Sequence, residues 1–240
     1  VLYVKAVLGL PIDGPFDYLV PPALENKVSV GARVWVDFRN KKEVAYVTGL
    51  SNKTRIKKIK EITALIDTAA VLDEQMLLLT KKIAEYYCCS WGEAIEAALP
   101  DELRKGKTGP VPIAGKTGPA PIAGKTGPGP ITAIVGRERL PVYLREIKDA
   151  CSLKRSAIVL FSDIQEAQRA RELIEKELGI GVFLAFRKQP KELEVWEKIG
   201  QAQYCVVAGT RSSIFSPVNN LGLIIIDQEQ NQVYKQEQVP

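Results

Sequence analysis

Asp227 follows four aliphatic residues without a polar break, Leu223, Ile224, Ile225 and Ile226, and a polar cluster comes at once after it. An unbroken apolar run predicts a parallel strand buried on both faces, and a carboxylate at its carboxyl end stands where α/β sheets bind ligands. There it can hold Mg²⁺ against a phosphate chain while a neighbouring glutamate orients the attacking water. The neighbour here is Gln228, an amide that cannot take a proton. Glu229 and Gln230 complete the box, and the 240 residues contain no histidine. Ser-His and Cys-His catalysis are therefore excluded, and no imidazole base is available near neutral pH.

A second chemistry is written near the N-terminus. Phe16, Asp17 and Tyr18 put a carboxylate between two aromatic rings. A ring can stack on any base, and a carboxylate can accept from a sugar hydroxyl or a base amine. Phe16 as a core residue and Asp17 as a turn former are the competing structural readings. Between positions 39 and 60 lie Arg39, Lys41, Lys42, Lys53, Arg55, Lys57, Lys58 and Lys60 against the single acid Glu43. Such a cluster suits a phosphate-facing surface; a solvated loop and strand edge is the alternative.

The elements expected to position these groups fall into three stretches. Residues 1–105 predict a small α+β unit, with strands over 3–8, 17–20, 33–38 and 44–50 separated by Pro, Gly and Asn. A helix is expected from the Asp73 cap to about Cys88, with Met76, Leu79, Ile83 and Tyr87 near one face. Residues 106–131 repeat every nine positions as GKTGPVPIA, GKTGPAPIA and GKTGPGPI. That composition buries too little surface to offset its ordering entropy and predicts a linker. Its Gly-Lys-Thr triplets lack the glycine spacing of a phosphate loop, because Pro110 and Pro119 occupy that place. Residues 132–240 alternate strand and helix, the pattern of a parallel sheet with crossover helices. Asp163 or Ser162 should cap a helix that stops at Gly179, and Pro190 should open another carrying Leu193, Trp196 and Ile199.

Composition narrows the classes further. The formal charge is +5, mildly basic. Cys88, Cys89, Cys151 and Cys205 show no C-x-x-C spacing, so neither a zinc site nor another metal site is expected, and no disulfide framework emerges. Cys151 and Cys205 read as small core residues. No signal peptide and no apolar run of about 18 residues is present, so a reducing cytoplasm without membrane insertion is the expectation.

These residues carry a resemblance. Asp227-Gln228-Glu229-Gln230 resembles a degraded DEEH box. Gly209-Thr210-Arg211-Ser212, Asn220-Leu221-Gly222-Leu223 and Tyr234-Lys235-Gln236 are similar to the first motor lobe of the PriA family, the bacterial primosomal replication-restart helicases. Pro15-Phe16-Asp17-Tyr18-Leu19-Val20-Pro21, and Ala84-Glu85-Tyr86-Tyr87 through Ala98-Leu99-Pro100, resemble that family's DNA-binding domain. The resemblance implies a RecA-like lobe over 132–240, and a site at Phe16, Asp17, Tyr18 and Lys60 for the terminal nucleotide of a 3′ end. Arg39 stands where the family tends to have glycine, and Arg211 where motor lobes touch a nucleic-acid backbone.

The family's cofactor is ATP with Mg²⁺, held by a G-x-T-G-S-G-K-T-E-V-Y loop. Residues 133–143, AIVGRERLPVY, are its counterpart. Gly136 is retained, while Glu138 takes a glycine place, Arg139 the Lys place and Leu140 the Thr place. Leu140 cannot coordinate a metal, and Arg139 keeps charge without the compact ammonium head. The expectation is a cytoplasmic, nucleoid-associated protein that binds forked, 3′-ended or single-stranded DNA, with no cofactor and with ATPase and helicase activity lost. Other primosome or replication proteins are further expected partners. The alternatives are an ATP-dependent 3′→5′ helicase fragment and an interaction scaffold that does not bind DNA. The winged-helix segment that the family has near the repeat is expected to be missing. A chain ending just beyond the Asp227 box is expected to be truncated, without a second motor lobe.

Overall fold

Alternation of Val34 and Val36 with Trp35 and Asp37 gives β3 (Arg33–Phe38) one face to bury and one to expose. In the computed structural model, which describes residues 1–108, 131–134 and 139–235, Val34 and Val36 are buried and Asp37 is exposed, but Arg33, expected on the exposed face with Trp35 and Asp37, is buried too. Gly136 and residues 109–130 of the repeat lie outside the described residues. The described residues divide into two units, one within Val1–Gly115 and one within Lys116–Lys235.

In the first unit β1 (Tyr3–Leu8), β2 (Phe16–Leu19), β3, β4 (Lys41–Ser51) and β5 (Ile62–Leu65) form an antiparallel sheet in the order β2-β1-β4-β3-β5. Strand β5 was not expected from the sequence. Val4, Ala6 and Leu8, Val34 and Val36, Ala45 and Val47, and Ile62 build one core with Tyr18 and Val20. The sheet curls until its outer strands meet: the Leu19 amide donates to the Lys60 carbonyl at 2.9 Å, and Leu19 bridges Glu61 in parallel. Closure of this kind shelters backbone groups that an open edge would expose.

Helices α1 (Glu74–Tyr87), α2 (Trp91–Ala98) and α3 (Asp101–Arg104) follow. Asp73 caps α1 as expected, its Oδ1 accepting from the Met76 amide at 2.7 Å. The buried face differs from the expected one. Leu77, Thr80 and Ala84 are turned inward, while Leu79 and Tyr87 are exposed. A polar residue completes the stripe because Thr80 is satisfied there, donating to the Met76 carbonyl and accepting from Trp91 Nε1. Helix α2 went unforeseen, although Ser90 and Glu93 form a reciprocal capping box that announces it.

The second unit carries α4 (Arg139–Ser152), β6 (Ser156–Leu160), α5 (Ile164–Leu178), β7 (Val182–Ala185), α6 (Glu192–Gln201), β8 (Val206–Gly209) and β9 (Leu221–Ile226). The strands are parallel in the order β7-β8-β6-β9. Asp163 caps α5 through the Glu166 amide, and Gly179 ends it at φ 66°. Helix α6 starts two residues after Pro190, and buries Ile199 and Gly200 with Trp196 half-buried. One expectation is corrected. Strand β9 is not buried on both faces: Ile225 is buried, whereas Leu221, Ile224 and Ile226 are 45–47% exposed. Among the described residues β9 pairs with β6 alone, so it is an edge strand, with α4 packed against it. No helix among the described residues is long and apolar enough to cross a membrane.

Candidate nucleic-acid interface

Strand β2 presents Phe16 and Tyr18 to one face and Asp17 to the other, as strand alternation demands. Tyr18 is 3% exposed and belongs to the barrel core. Its phenol is pushed upward by burial and then by the charge of Asp37. Tyr18 therefore supports the site from beneath and offers no open ring face. Phe16 is half-buried on that core, and its ring meets Phe38 at a centroid distance of 5.4 Å, tilted by 54°. The Arg39 guanidinium lies over the Phe38 ring at 5.4 Å. Phe16, Phe38 and Arg39 thus form one continuous aromatic–cationic surface.

The turn that presents Arg39 has a local cause. Arg39 and Asn40 adopt φ of 50° and 63°, the paired left-handed residues of a tight β3–β4 hairpin. The Asn40 amide donates to Asp37 Oδ1 at 3.2 Å and pins the turn. The same oxygen accepts from Lys60 Nζ at 2.6 Å. Hydrogen bonding from Lys60 is the main reason the Asp37 carboxyl sits below the ordinary range. Both side chains of this pair are about half exposed, so its own contribution to stability is small.

Asp17 faces the loop between β4 and β5. Its Oδ2 accepts from the Thr54 hydroxyl at 2.6 Å. Lys53, Arg55, Lys57, Lys58 and Lys60 stand exposed along that loop, and Arg39, Lys41 and Lys42 along the hairpin. Phe16 and Arg39 meet through Phe38, Lys60 reaches Asp37 of the same hairpin, and Asp17, on the other face of β2, is bonded to Thr54 of the loop that leads to Lys60. Asp37, Phe38 and Thr54 were missed by sequence reasoning. Asp37 and Phe38 had read only as members of an alternating strand, and nothing local ties Thr54 to a residue 37 positions away.

In the second unit Arg211 opens a 3-10 turn after β8, exposed, with Nη1 donating to the Val233 carbonyl at 3.3 Å. The box residue Asp227 is 3% exposed at the carboxyl end of β9. Its Oδ1 receives Arg139 Nε at 3.2 Å and the Tyr143 hydroxyl at 2.9 Å, while Gln228 Nε2 donates to Oδ2 at 3.4 Å. Tyr234 donates to the Asp227 carbonyl at 3.0 Å. Burial first, and the Asp227 hydrogen bond and charge next, push the Tyr143 phenol up to about 12. Leu140 is exposed on α4, and Gln228 takes φ 51°. Glu229 and Gln230 follow in the turn after β9. No cluster of His, Cys, Asp and Glu among the described residues could hold a metal ion.

Residues 5–100 match a family model described as the 3′DNA-binding domain. The replication restart protein PriA of Treponema pallidum is 26% identical over 262 aligned positions, covering 99% of this chain and 40% of the relative. The namesake of Rickettsia conorii is 26% identical over 239 positions, covering 93% of this chain and 36% of its own. That of Bacillus subtilis is 31% identical over 109 positions, 45% of this chain and 14% of the relative. The chain spans about two fifths of the length of the first of these relatives and less of the others.

Proposed function

We propose that the chain belongs to the PriA family, as its match to the 3′DNA-binding domain and its similarity to PriA relatives support, and that this domain holds the terminal nucleotide of an exposed 3′ end at forked or single-stranded DNA. The observation that carries the reading is the Phe16–Phe38–Arg39 surface, with Lys60 bonded to Asp37 of the same hairpin and Asp17 bonded to Thr54 of the cationic loop. The terminal base lies against the Phe16–Phe38 surface, where stacking tolerates any base. Asp17 accepts from the terminal sugar hydroxyl. Arg39, Lys60 and the cationic loop answer the phosphates that follow. On this reading the chain works on nucleoid DNA in the bacterial cytoplasm, with other primosome proteins as further partners.

The test is binding to forked DNA that ends in a 3′ hydroxyl or in a 3′ phosphate. The expected result is tighter binding to the hydroxyl end, with Asp17→Ala abolishing the preference and leaving basal binding. Equal, salt-sensitive binding of both ends by the unaltered chain would reduce the surface to general phosphate adhesion.

We further propose that the second unit has lost ATP hydrolysis and helicase activity. Support comes from the Asp227 carboxylate, which is buried and taken up by Arg139 and Tyr143. Those partners do not fit a Mg²⁺ site: a guanidinium stands against the oxygen a metal would need, and Leu140 supplies no ligand. Gln228 cannot accept a proton from water. On this reading ATP and Mg²⁺ are not cofactors of the chain. Fluorescent nucleotide titration and DNA-stimulated phosphate release test it, with neither binding nor turnover expected. Measurable turnover sinks the proposal.

A further inference from the structure

Thr54 makes a second connection besides its bond to Asp17. Its Oγ accepts from the Ile56 amide at 3.1 Å, a local turn closed by a hydroxyl. With the Ile56 amide directed at the oxygen, the one hydroxyl proton is committed to Asp17 Oδ2. Oδ1 is the carboxylate oxygen left to face a ligand. Ser51 closes a similar turn just upstream, donating to the Lys53 carbonyl at 2.8 Å and accepting from the Lys53 amide at 3.1 Å. Downstream, the Lys60 carbonyl receives the Leu19 amide. The cationic loop over residues 52–61 is therefore fastened to β2 at two places, by the Thr54 side chain at Asp17 and by backbone at Leu19.

We propose that Thr54 is a positioning residue for 3′-end recognition: it orients the Asp17 carboxylate so that a single oxygen meets the terminal hydroxyl, and it holds the phosphate-binding loop in register with that oxygen. The inference rests on the 3′-end reading above and adds to it the element that makes Asp17 directional. Asp17 stands across the sheet from Lys5 in the β1–β2 register, so without Thr54 its carboxylate is left to swing toward the exposed lysine. A carboxylate turned that way presents charge to the DNA end without a fixed acceptor.

The chemistry predicts a separation of effects. A hydroxyl-to-carboxylate hydrogen bond strengthens orientation, so its loss should weaken discrimination between ends. No charge is removed, so the number of displaced counterions stays the same. Thr54→Val keeps the shape without the hydroxyl, and Thr54→Ser keeps the hydroxyl without the methyl group.

The experiment uses the 240-residue chain and a labelled fork ending in a 3′ hydroxyl or a 3′ phosphate, titrated at several salt concentrations. Thr54→Val is expected to lower the hydroxyl-over-phosphate preference by roughly tenfold, the scale of one charge-assisted hydrogen bond. Its salt dependence should match that of the unaltered chain, and Thr54→Ser should recover most of the preference. Thr54→Val binding with the unaltered preference overturns the positioning role while leaving the 3′-end reading intact, as does a Thr54→Ser variant no better than Val. An unaltered chain that binds both ends equally overturns the 3′-end reading and this role with it. Thermal melts that superimpose for all three proteins support the assignment, since Thr54 is a half-buried loop residue outside the core; a lowered melt for Thr54→Val, with its preference lost, counts as a folding defect and overturns it.

Discussion

Arg33 and Asp67 form a buried two-point pair, with Nε donating to Oδ2 at 2.7 Å and Nη2 to Oδ1 at 2.6 Å. Arg33 is fully buried and Asp67 nearly so. The same guanidinium also donates to the carbonyls of Leu103 and Lys107. It thereby fixes the end of α3, and the segment beyond it, to the barrel. The fork geometry is specific to arginine; lysine offers a point charge that cannot satisfy these acceptors together. Arg33→Met should take the guanidinium away from the buried Asp67 carboxylate and cost about 3–5 kcal/mol. Urea unfolding followed by far-ultraviolet circular dichroism measures this, and a loss below about 1 kcal/mol would contradict a buried pair.

Gly106 sits one residue before Lys107 and takes φ 73°. A Cβ there would stand 2.3 Å from Trp35 Cζ2. The indole also carries Lys42, whose Nζ lies over the ring 4.5 Å from its centroid. Backbone strain and overpacking therefore act together on Gly106→Ala, which should destabilise the first unit by about 1–3 kcal/mol. A melting temperature equal to that of the unaltered chain would mean the indole gives way freely.

Charge reversal in the loop gives a different signature. Lys53, Lys57 and Lys58 are exposed and lie on the loop that Thr54 and Lys60 anchor. Replacing all three with Glu should weaken binding to every DNA, whatever its end. The slope of log affinity against log salt should fall by about 0.7–0.9 for each phosphate that is no longer neutralised. Lys60→Ala should do more than its charge implies, because it also releases Asp37, a carboxylate beside the phosphate path. Filter binding across a salt series checks both, and an unchanged slope in the triple variant would place the phosphate path elsewhere.

What the sequence made legible was local. Alternation located β3, and the Asp73, Asp163 and Gly179 signals set helix ends, because each depends on residues within one turn of its neighbours. The stripe on α1 was displaced because Thr80 counts as polar in a pattern and yet is buried with its hydroxyl hydrogen-bonded. The exposure of β9 escaped notice because an edge strand and a central strand share the same apolar run, and only sheet order separates them. Phe16, Asp17 and Lys60 could be named from resemblance. Their meeting with Phe38 and Thr54 depends on barrel closure through Leu19 and Lys60, a contact spanning 41 positions that no local pattern encodes. The pairing of Arg139 with Asp227 is likewise a product of the fold.

Burial of two phenols beside Asp227 makes the second unit sensitive to alkali. Tyr143 and Tyr234 are both pushed from the ordinary 10 up to about 12, chiefly by burial, with Asp227 adding to each. Between those values the folded state holds protons that the unfolded chain has released. Stability must therefore fall as pH rises from about 10 to about 12, and it is unaffected by these groups below about 10. Tyr143→Phe removes one of the two phenols and its bond to a buried carboxylate. It should cost about 1–2 kcal/mol at neutral pH, with Arg139 remaining on Asp227. Its alkaline decline should be shallower than that of the unaltered chain, because one fewer retained proton is at stake. Urea unfolding at about pH 7 and across about pH 9–12 measures both effects together. Parallel declines in the two proteins would show that Tyr143 titrates as a free phenol and that the cluster around Asp227 does not hold it.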